Sequence, residues 1–266
     1  MIASFRSGIR TLTIFPFPGK DSHDFSASFK WFSIIGFILG ALLYGFLYLL
    51  KPASGFLGTE VVALLLLLAI TIMTRGFHLD GLADWADGFL GNLDKKRTLE
   101  IMKDPHVGTF GIVALIILLM MKWIFFERLI VEGEGFLIIA PYLLSRNLMV
   151  SLAVRYDYAG NQAGLGKSFI DKTRRSDLYF SMITAFIILS LLYGVLGILF
   201  FTTGFILERF LGFLFSRKLG GMTGDLLGAA CEISETGLLL TCFIIMKIAL
   251  ENLSNTAINF GLSVYF

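Results

Sequence analysis

Long apolar runs separated by short polar segments make up most of the chain. Four of these runs contain no Asp, Glu, Lys or Arg; they have 20, 14, 17 and 30 residues and cover 31–50, 61–74, 105–121 and 178–207. Because a helix needs about 20 mainly apolar residues to cross a bilayer, the first run predicts one span, and the last predicts one long helix or two short ones. Further spans are predicted near 136–153 and 237–250. We therefore expect an all-α transmembrane bundle of six or seven spans, with polar loops on the cytoplasmic side and short interfacial helices.

The composition indicates an integral membrane protein. Hydrophobic residues make up 56% of the 266 positions and charged residues only 16%, and the mean hydropathy is +0.79. Soluble domains have about 25% charged residues. No internal repeat or low-complexity linker divides the sequence, so we expect one domain over 1–266. The apolar composition makes the lipid bilayer the expected partner. The net charge of +2 adds little, and no basic run is long enough to suggest nucleic acid as a partner.

Lysine and arginine concentrate in the N-terminal segment and in alternate connections after it. These basic segments are 1–30, 75–104, 155–175 and 217–218. By the positive-inside rule they face the cytoplasm, so all the polar motifs are expected on one side of the membrane. The expected location is the cell (inner) membrane, with a multi-pass topology. Arg6 and Arg10 precede an apolar patch that Pro16 interrupts, so we expect an interfacial segment there and no cleavable signal.

The segment HLDGLADWADG at 78–88 borders an apolar stretch and contains Asp80, Asp84 and Asp87. In a helix, this spacing places the three carboxylates within about 60° on one face. At about 5–6 Å, two ionised carboxylates repel by about 3 kcal/mol at an effective dielectric of 20, so a cation or a proton is expected among them at a membrane boundary. The alternative is a solvated loop face, where the repulsion falls below about 1 kcal/mol. His78 either orients this helix or acts as a base.

A second polar segment, LEIMKDPHVGTFG, occupies 99–111. Glu100 and Asp104 are four residues apart, which predicts a short amphipathic helix that ends at Pro105. A helix that only lies on the membrane surface would give the same pattern.

A third polar segment, RKLGGMTGDLLGAACEISE, occupies 217–235. On a helix, Asp225, Glu232 and Glu235 fall within about 80° of one face. Glycines precede this helix, and backbone amides at a glycine-led helix start bind phosphate well. The alternative is tight helix packing through small residues.

Together the three segments predict a site for Mg²⁺ and a diphosphate, because Mg²⁺ binds a few carboxylates together with substrate phosphates. The predicted metal ligands are Asp80, Asp84, Asp87, Asp225 and Glu232. The predicted substrate-binding residues are Lys103, Asp104, Arg217, Lys218, Gly221 and Gly224. The catalytic proton acceptor is left open among His78, Asp84, Asp87 and Asp225.

Three stretches of the chain resemble, in the same order, the signature segments of the cobalamin synthase family, which is also named adenosylcobinamide-GDP ribazoletransferase. These stretches are GFHLDGLADWADG, LEIMKDPHVGTFG and LGGMTGDLLGAACEISE. The early TIFPFPG, the Ser145-Arg146 pair and the Gly164-Leu165-Gly166 turn extend the resemblance over nearly the whole chain. Pro105-His106 stands where the family commonly has Ser-Arg, so His106 would have to replace that arginine.

The resemblance implies a polytopic membrane enzyme that requires Mg²⁺. The implied reaction joins α-ribazole, or its 5′-phosphate, to adenosylcobinamide-GDP and releases GMP, in the nucleotide-loop assembly of cobalamin biosynthesis. It also adds Arg146 to the substrate-binding residues, and a homo-oligomer is compatible with it.

Two other classes compete with this interpretation. A CDP-alcohol-type phosphotransferase would use the same metal chemistry on a different acceptor. A divalent-cation transporter would place its acidic residues near the middle of the bilayer, whereas here they lie mostly at the ends of predicted spans.

Overall fold

The structure is a computed structural model that describes residues 1–22, 24–91, 94–160 and 165–259, so Gly164 of the predicted turn lies outside the described residues. The described parts are helical and contain no named strand. The α-helices are α1 Ile2–Leu12, α2 Phe32–Leu50, α3 Ser54–Leu57, α4 Thr59–Met73, α5 Phe77–Leu90, α6 Lys95–Ile101, α7 Thr109–Val131, α8 Ile139–Arg155, α9 Leu165–Lys172, α10 Arg175–Tyr193, α11 Val195–Leu219 and α12 Gly224–Asn259. Short 3-10 turns occupy Phe25–Trp31, Lys51–Ala53 and Gly135–Ile138.

Six helical segments of the described chain are long and apolar enough to cross a membrane. They are Phe25–Leu57, Thr109–Val131, Gly135–Arg155, Arg175–Tyr193, Val195–Leu219 and Gly224–Ile248. A seventh candidate is the pair α4 and α5, which meet at a bend of 91°. The predicted all-α bundle of six or seven spans is therefore confirmed.

The longest uncharged run forms two helices, α10 and α11. They meet at Gly194, whose φ of +55° lies in the left-handed region that favours glycine. Lys122, taken from the sequence as the charged end of a run, instead lies in the middle of α7 and is buried. A lysine is found at such a position when a counter-charge accompanies it, and two glutamates of α12 provide that charge.

Helix α8 occupies the centre of the bundle and is buried almost along its whole length. It packs against α2, α10, α11 and α12. On α2, a Cβ added to Gly40 would lie 2.8 Å from the Cα atom of Ile139, so this glycine lets the two backbones approach closely.

Helix α1 is amphipathic, with a buried face that includes Ile9 and Leu12. Arg10 on its other face forms an ion pair with Asp21 at 2.8 Å. The amide of Ile14 donates to the carbonyl of Met73 at 2.8 Å, which ties this segment to the end of α4. This arrangement suits a segment that lies along the membrane surface.

Three connections meet at one end of the bundle. The amide of Met222 donates to the carbonyl of Asp157 at 2.8 Å, and the amide of Ala159 donates back to Met222 at 2.9 Å. Lys218 Nζ donates to the carbonyl of Phe89 at 2.7 Å. The motif at 78–88 thus ends, and the motif at 217–235 begins, at a common face. The motif at 99–111 is joined to the first of these by a hydrogen bond from the amide of Gly108 to Asp87.

Candidate active site at one end of the bundle

The aspartate motif is helical, as predicted, and forms most of α5. Asp80 is exposed and Asp84 is half-buried. The carboxylates of Asp80, Asp87 and Asp225 all lie close enough to Asp84 to repel its charge. The structure therefore brings residues of the first and third motifs into one acidic cluster, which we call the acidic site and define as Asp80, Asp84, Asp87 and Asp225.

Two glycines determine how closely α5 and α12 approach. A Cβ added to Gly81 would lie 2.6 Å from the carbonyl oxygen of Asp225. A Cβ added to Gly228 would lie 3.4 Å from the Cα atom of His78. Sequence reasoning missed the role of these glycines, although Gly81 lies inside the aspartate motif. Without the close approach, Asp225 could not join the carboxylates of α5.

Asp87 has a structural role that the sequence did not suggest. Its two carboxylate oxygens accept hydrogen bonds from the amides of Gly108 and Gly111, at 2.7 and 2.9 Å. These amides begin α7 and have no partner within the helix, so Asp87 caps α7 and stabilises its positive end. Its role as a metal ligand stays a prediction.

The second motif forms a shorter helix than predicted. Helix α6 ends at Ile101, so the prediction that Asp104 lies on it is wrong. The following Pro105 disfavours helical backbone at Asp104, whose carboxylate instead accepts hydrogen bonds from the amide and ring of His106 at 2.9 and 2.7 Å. These hydrogen bonds lower the pKa of Asp104. Glu100 forms an exposed ion pair with Arg97 at 3.0 Å, as on an ordinary surface helix.

Three predicted phosphate-binding cations lie in different surroundings. Lys103 is exposed and close enough to Asp225 to attract its charge. Lys218 donates to the carbonyls of Gly88 and Phe89 at the end of α5, which is a favourable place for a cation. The guanidinium of Arg217 lies 5.9 Å from the ring centre of Phe213 on an exposed face. Lys103 is therefore the predicted cation whose charge acts directly on the acidic site.

Arg146 and Glu232 lie away from the acidic site, in the bundle core. Arg146 forms an ion pair with Glu235, and Lys122 forms ion pairs with both Glu232 and Glu235. All four side chains are buried. We call Lys122, Arg146, Glu232 and Glu235 the buried ion cluster. A lysine within an apolar run was the available signal for Lys122, but its partners were not visible in the sequence.

His78 lies beside the buried ion cluster rather than at the open face. Its side chain is only 2% exposed, and Arg146 and Lys122 are close enough to oppose a positive charge on it. Within the described residues, neither ring nitrogen has a hydrogen-bond partner. This location favours the interpretation that His78 positions α5.

The glycine turn before α12 mainly serves close packing. Gly220 ends α11 with φ of +72°, and a side chain on Gly221 would collide with the carbonyl of Asp157. A Cβ added to Gly166 would lie 2.8 Å from the amide nitrogen of Gly224. The packing alternative is thus supported at this turn, and phosphate binding by Gly221 and Gly224 stays a prediction.

Tyr158, in the connection after α8, lies close to Asp225 of the acidic site. Burial and the nearby carboxylates of Asp225 and Asp171 raise its pKa. The ammonium of Lys167 lies 5.9 Å from the centre of its ring. Nothing in the sequence pattern around Tyr158 indicated this position.

The acidic site suits a cation that shares its coordination with a ligand. No three His, Cys, Asp or Glu side chains among the residues that the structure describes are placed to hold one metal ion together. Mg²⁺ uses one or two carboxylates together with substrate phosphates and water, so it does not need three preassembled protein donors. The crowded carboxylates beside Asp84 supply the negative charge that such an ion requires.

The fold and the site define a polytopic membrane protein with an acidic site at one end of its bundle. The chain belongs to the cobalamin-5-phosphate synthase family (CobS), whose model matches residues 4–243. A Chlorobium phaeovibrioides protein named adenosylcobinamide-GDP ribazoletransferase is 40% identical over 239 residues, which cover 88% of this chain and 94% of that protein. Proteins of the same name from Chlorobaculum tepidum and Klebsiella pneumoniae are 37% and 34% identical, over 93% and 90% of this chain and 97% and 99% of their own lengths. No solved structure matches the chain.

Proposed function

We propose that this protein is a Mg²⁺-dependent adenosylcobinamide-GDP ribazoletransferase. It joins α-ribazole, or α-ribazole 5′-phosphate, to adenosylcobinamide-GDP and releases GMP. Family membership supports the reaction. The single structural observation that carries the metal dependence is the convergence of Asp80, Asp87 and Asp225 on Asp84.

The residues of the acidic site have different proposed roles. One or two of Asp80, Asp84 and Asp225 would bind the metal together with the substrate phosphates, because the oxygens of Asp87 already bind the amides of α7. When bound, Mg²⁺ neutralises the diphosphate and the departing phosphate. Glu232 is a weaker candidate ligand because its carboxylate is paired with Lys122 in the core.

Proton removal from the attacking ribose hydroxyl falls to Asp84 or Asp225. Both carboxylates are only partly buried, so a substrate hydroxyl can reach them, whereas His78 is enclosed. Lys103 is placed to attract the diphosphate through its exposed ammonium group.

The proposed location is the cell inner membrane with the acidic site toward the cytoplasm. The support is the concentration of lysine and arginine at the same end of the bundle as the acidic site. This side gives the nucleotide-activated substrate direct access to the acidic site.

The test measures GMP release by the purified protein with adenosylcobinamide-GDP, α-ribazole and Mg²⁺. We expect Asp84→Asn to lower the rate at least about 100-fold, because the variant loses a carboxylate from the metal and base machinery. Glu134→Gln, which makes the same chemical change at an exposed position after α7, should keep wild-type activity.

Competing functions give different results in the same preparation. Competition by cytidine rather than guanosine nucleotides would indicate a CDP-alcohol phosphotransferase. Uptake of a divalent cation into proteoliposomes without nucleotide turnover would indicate a transporter. Full activity of Asp84→Asn would contradict the assignment of the acidic site.

A further inference from the structure

A second polar cavity lies apart from the acidic site, between α8, α10 and α11. Its volume is about 600 Å³, and its lining includes Arg155, Arg175 and Arg209. Arg155 ends α8 and Arg175 begins α10, so the cavity lies at the same end of the bundle as the acidic site. The acidic site belongs to α5 and α12, so the mechanism proposed above uses none of these arginines.

One buried carboxylate orients two of the arginines. Nε of Arg155 lies 3.5 Å from Glu208 and donates to Ser151 Oγ at 3.0 Å. Nε of Arg209 lies 3.4 Å from the other oxygen of Glu208. Glu208 is only 2% exposed, whereas the Arg155 and Arg209 side chains are 29% and 45% exposed. Among the residues that the structure describes, the terminal nitrogens of these two guanidinium groups form no hydrogen bond, so they can bind a ligand of the cavity.

The net positive charge of the cavity favours an anionic ligand. Three arginines face one glutamate, which leaves an excess of two positive charges. Guanidinium groups bind phosphate through paired hydrogen bonds, and Tyr156 and Tyr179 of the lining add two hydroxyl groups.

The exposed apolar side chains around the cavity favour a lipid as the ligand. Ile183 of α10 and Phe205 and Phe210 of α11 are 58%, 44% and 60% exposed. In a membrane-spanning bundle such exposed apolar side chains face the acyl chains of lipids. A phospholipid can place its phosphate among the arginines while its chains cover these neighbouring side chains.

We infer that this cavity is a binding site for the headgroup of an anionic glycerophospholipid. Basic pockets between transmembrane helices are suited to such headgroups. The bound lipid would join α8 to α10 and α11 through the arginines. This inference does not depend on the reaction proposed above.

The experiment uses the purified full-length protein in detergent, with its bound lipids removed. Binding of phosphatidylglycerol is measured by native mass spectrometry and by the shift in melting temperature, with phosphatidylcholine and inorganic phosphate as comparison ligands. The test variant is Arg175→Gln, because Arg175 lines the cavity without pairing with Glu208. The matched control is Arg174→Gln, which removes the same charge from an exposed residue that does not line the cavity.

We expect the wild-type protein to bind phosphatidylglycerol in preference to phosphatidylcholine. Arg175→Gln should weaken this binding about fivefold, the effect of one basic residue near an anionic lipid, and Arg174→Gln should leave it unchanged. Arg209→Gln is a second variant whose loss of binding should equal or exceed that of Arg175→Gln.

Three outcomes would overturn the inference. Equal binding of the two lipids would show that the headgroup charge is not recognised. Equal loss in Arg174→Gln and Arg175→Gln would show only a general attraction to negative lipids. Stabilisation by inorganic phosphate equal to that by phosphatidylglycerol would make the cavity a site for soluble anions.

Discussion

The buried ion cluster allows a quantitative test of how the bundle holds charge in its core. Lys122 on α7 is 3% exposed and contacts both Glu232 and Glu235 of α12. Lys122→Met keeps an unbranched side chain, one atom shorter, and removes its charge. Two buried carboxylates would then share the single positive charge of Arg146.

The expected loss follows from leaving a buried charge without its partner. Breaking a buried ion pair in this way costs about 3–5 kcal/mol. For a chain of this size, each kcal/mol corresponds to about 2–4 °C in melting temperature, so Lys122→Met should melt about 6–20 °C lower than wild type. The measurement is thermal unfolding of the detergent-solubilised protein, followed by loss of the monodisperse peak in size-exclusion chromatography.

Two further variants make this reasoning refutable. Lys122→Met combined with Glu232→Gln restores charge balance and should recover most of the lost melting temperature. Lys247→Met removes an exposed lysine that pairs with Glu132 at 3.2 Å, and should cost less than about 1 kcal/mol. Equal melting temperatures of Lys122→Met and Lys247→Met would contradict the expected cost of the unpaired buried charge. A double variant no more stable than Lys122→Met would contradict it as well.

Two other predictions concern how the acidic site is assembled. Gly81→Ala places a methyl group 2.6 Å from the carbonyl oxygen of Asp225, so it should separate α5 from α12 and lower the rate of GMP release at least about tenfold. The control is Gly45→Ala, where nothing lies within 4 Å; it should keep activity and raise the free energy of unfolding by up to about 1 kcal/mol. Asp87→Ala removes the cap of α7 and should cost about 1 kcal/mol. It should also increase hydrogen exchange at the Gly108 amide, and unchanged exchange would contradict the capping role.

The acidic site illustrates how one residue type can serve two purposes. Asp84 is half-buried and experiences the like charges of Asp80, Asp225 and Asp87, an arrangement that favours uptake of a cation. Asp87, three residues later on α5, accepts hydrogen bonds from two backbone amides. Aspartates on the same face of one helix can therefore differ in their chemistry.

The helices of this bundle could be read from the sequence because their causes are local. Apolar runs of sufficient length predict spans wherever they occur, and the period of 3.6 residues places Asp80, Asp84 and Asp87 on one face of α5. The division of 178–207 into two helices was one of the two predicted alternatives, but the position of the break at Gly194 was not predicted, and the early end of α6 before Asp104 was missed, because a turn competes with helix within only a few residues.

The contacts between distant segments could not be read in the same way. Lys122 and Glu232 are 110 residues apart, and no periodic pattern indicates that they pair in the core. Asp225 reaches Asp84 only because Gly81 lets two backbones approach, a condition that depends on how α5 and α12 pack. The sequence by itself determined the helices, their membrane character and the acidic faces, since each arises from residues within a few turns of one another. Only the tertiary structure decided which of these charges face a ligand and which neutralise one another in the core, since burial and ion pairing depend on segments that meet after folding.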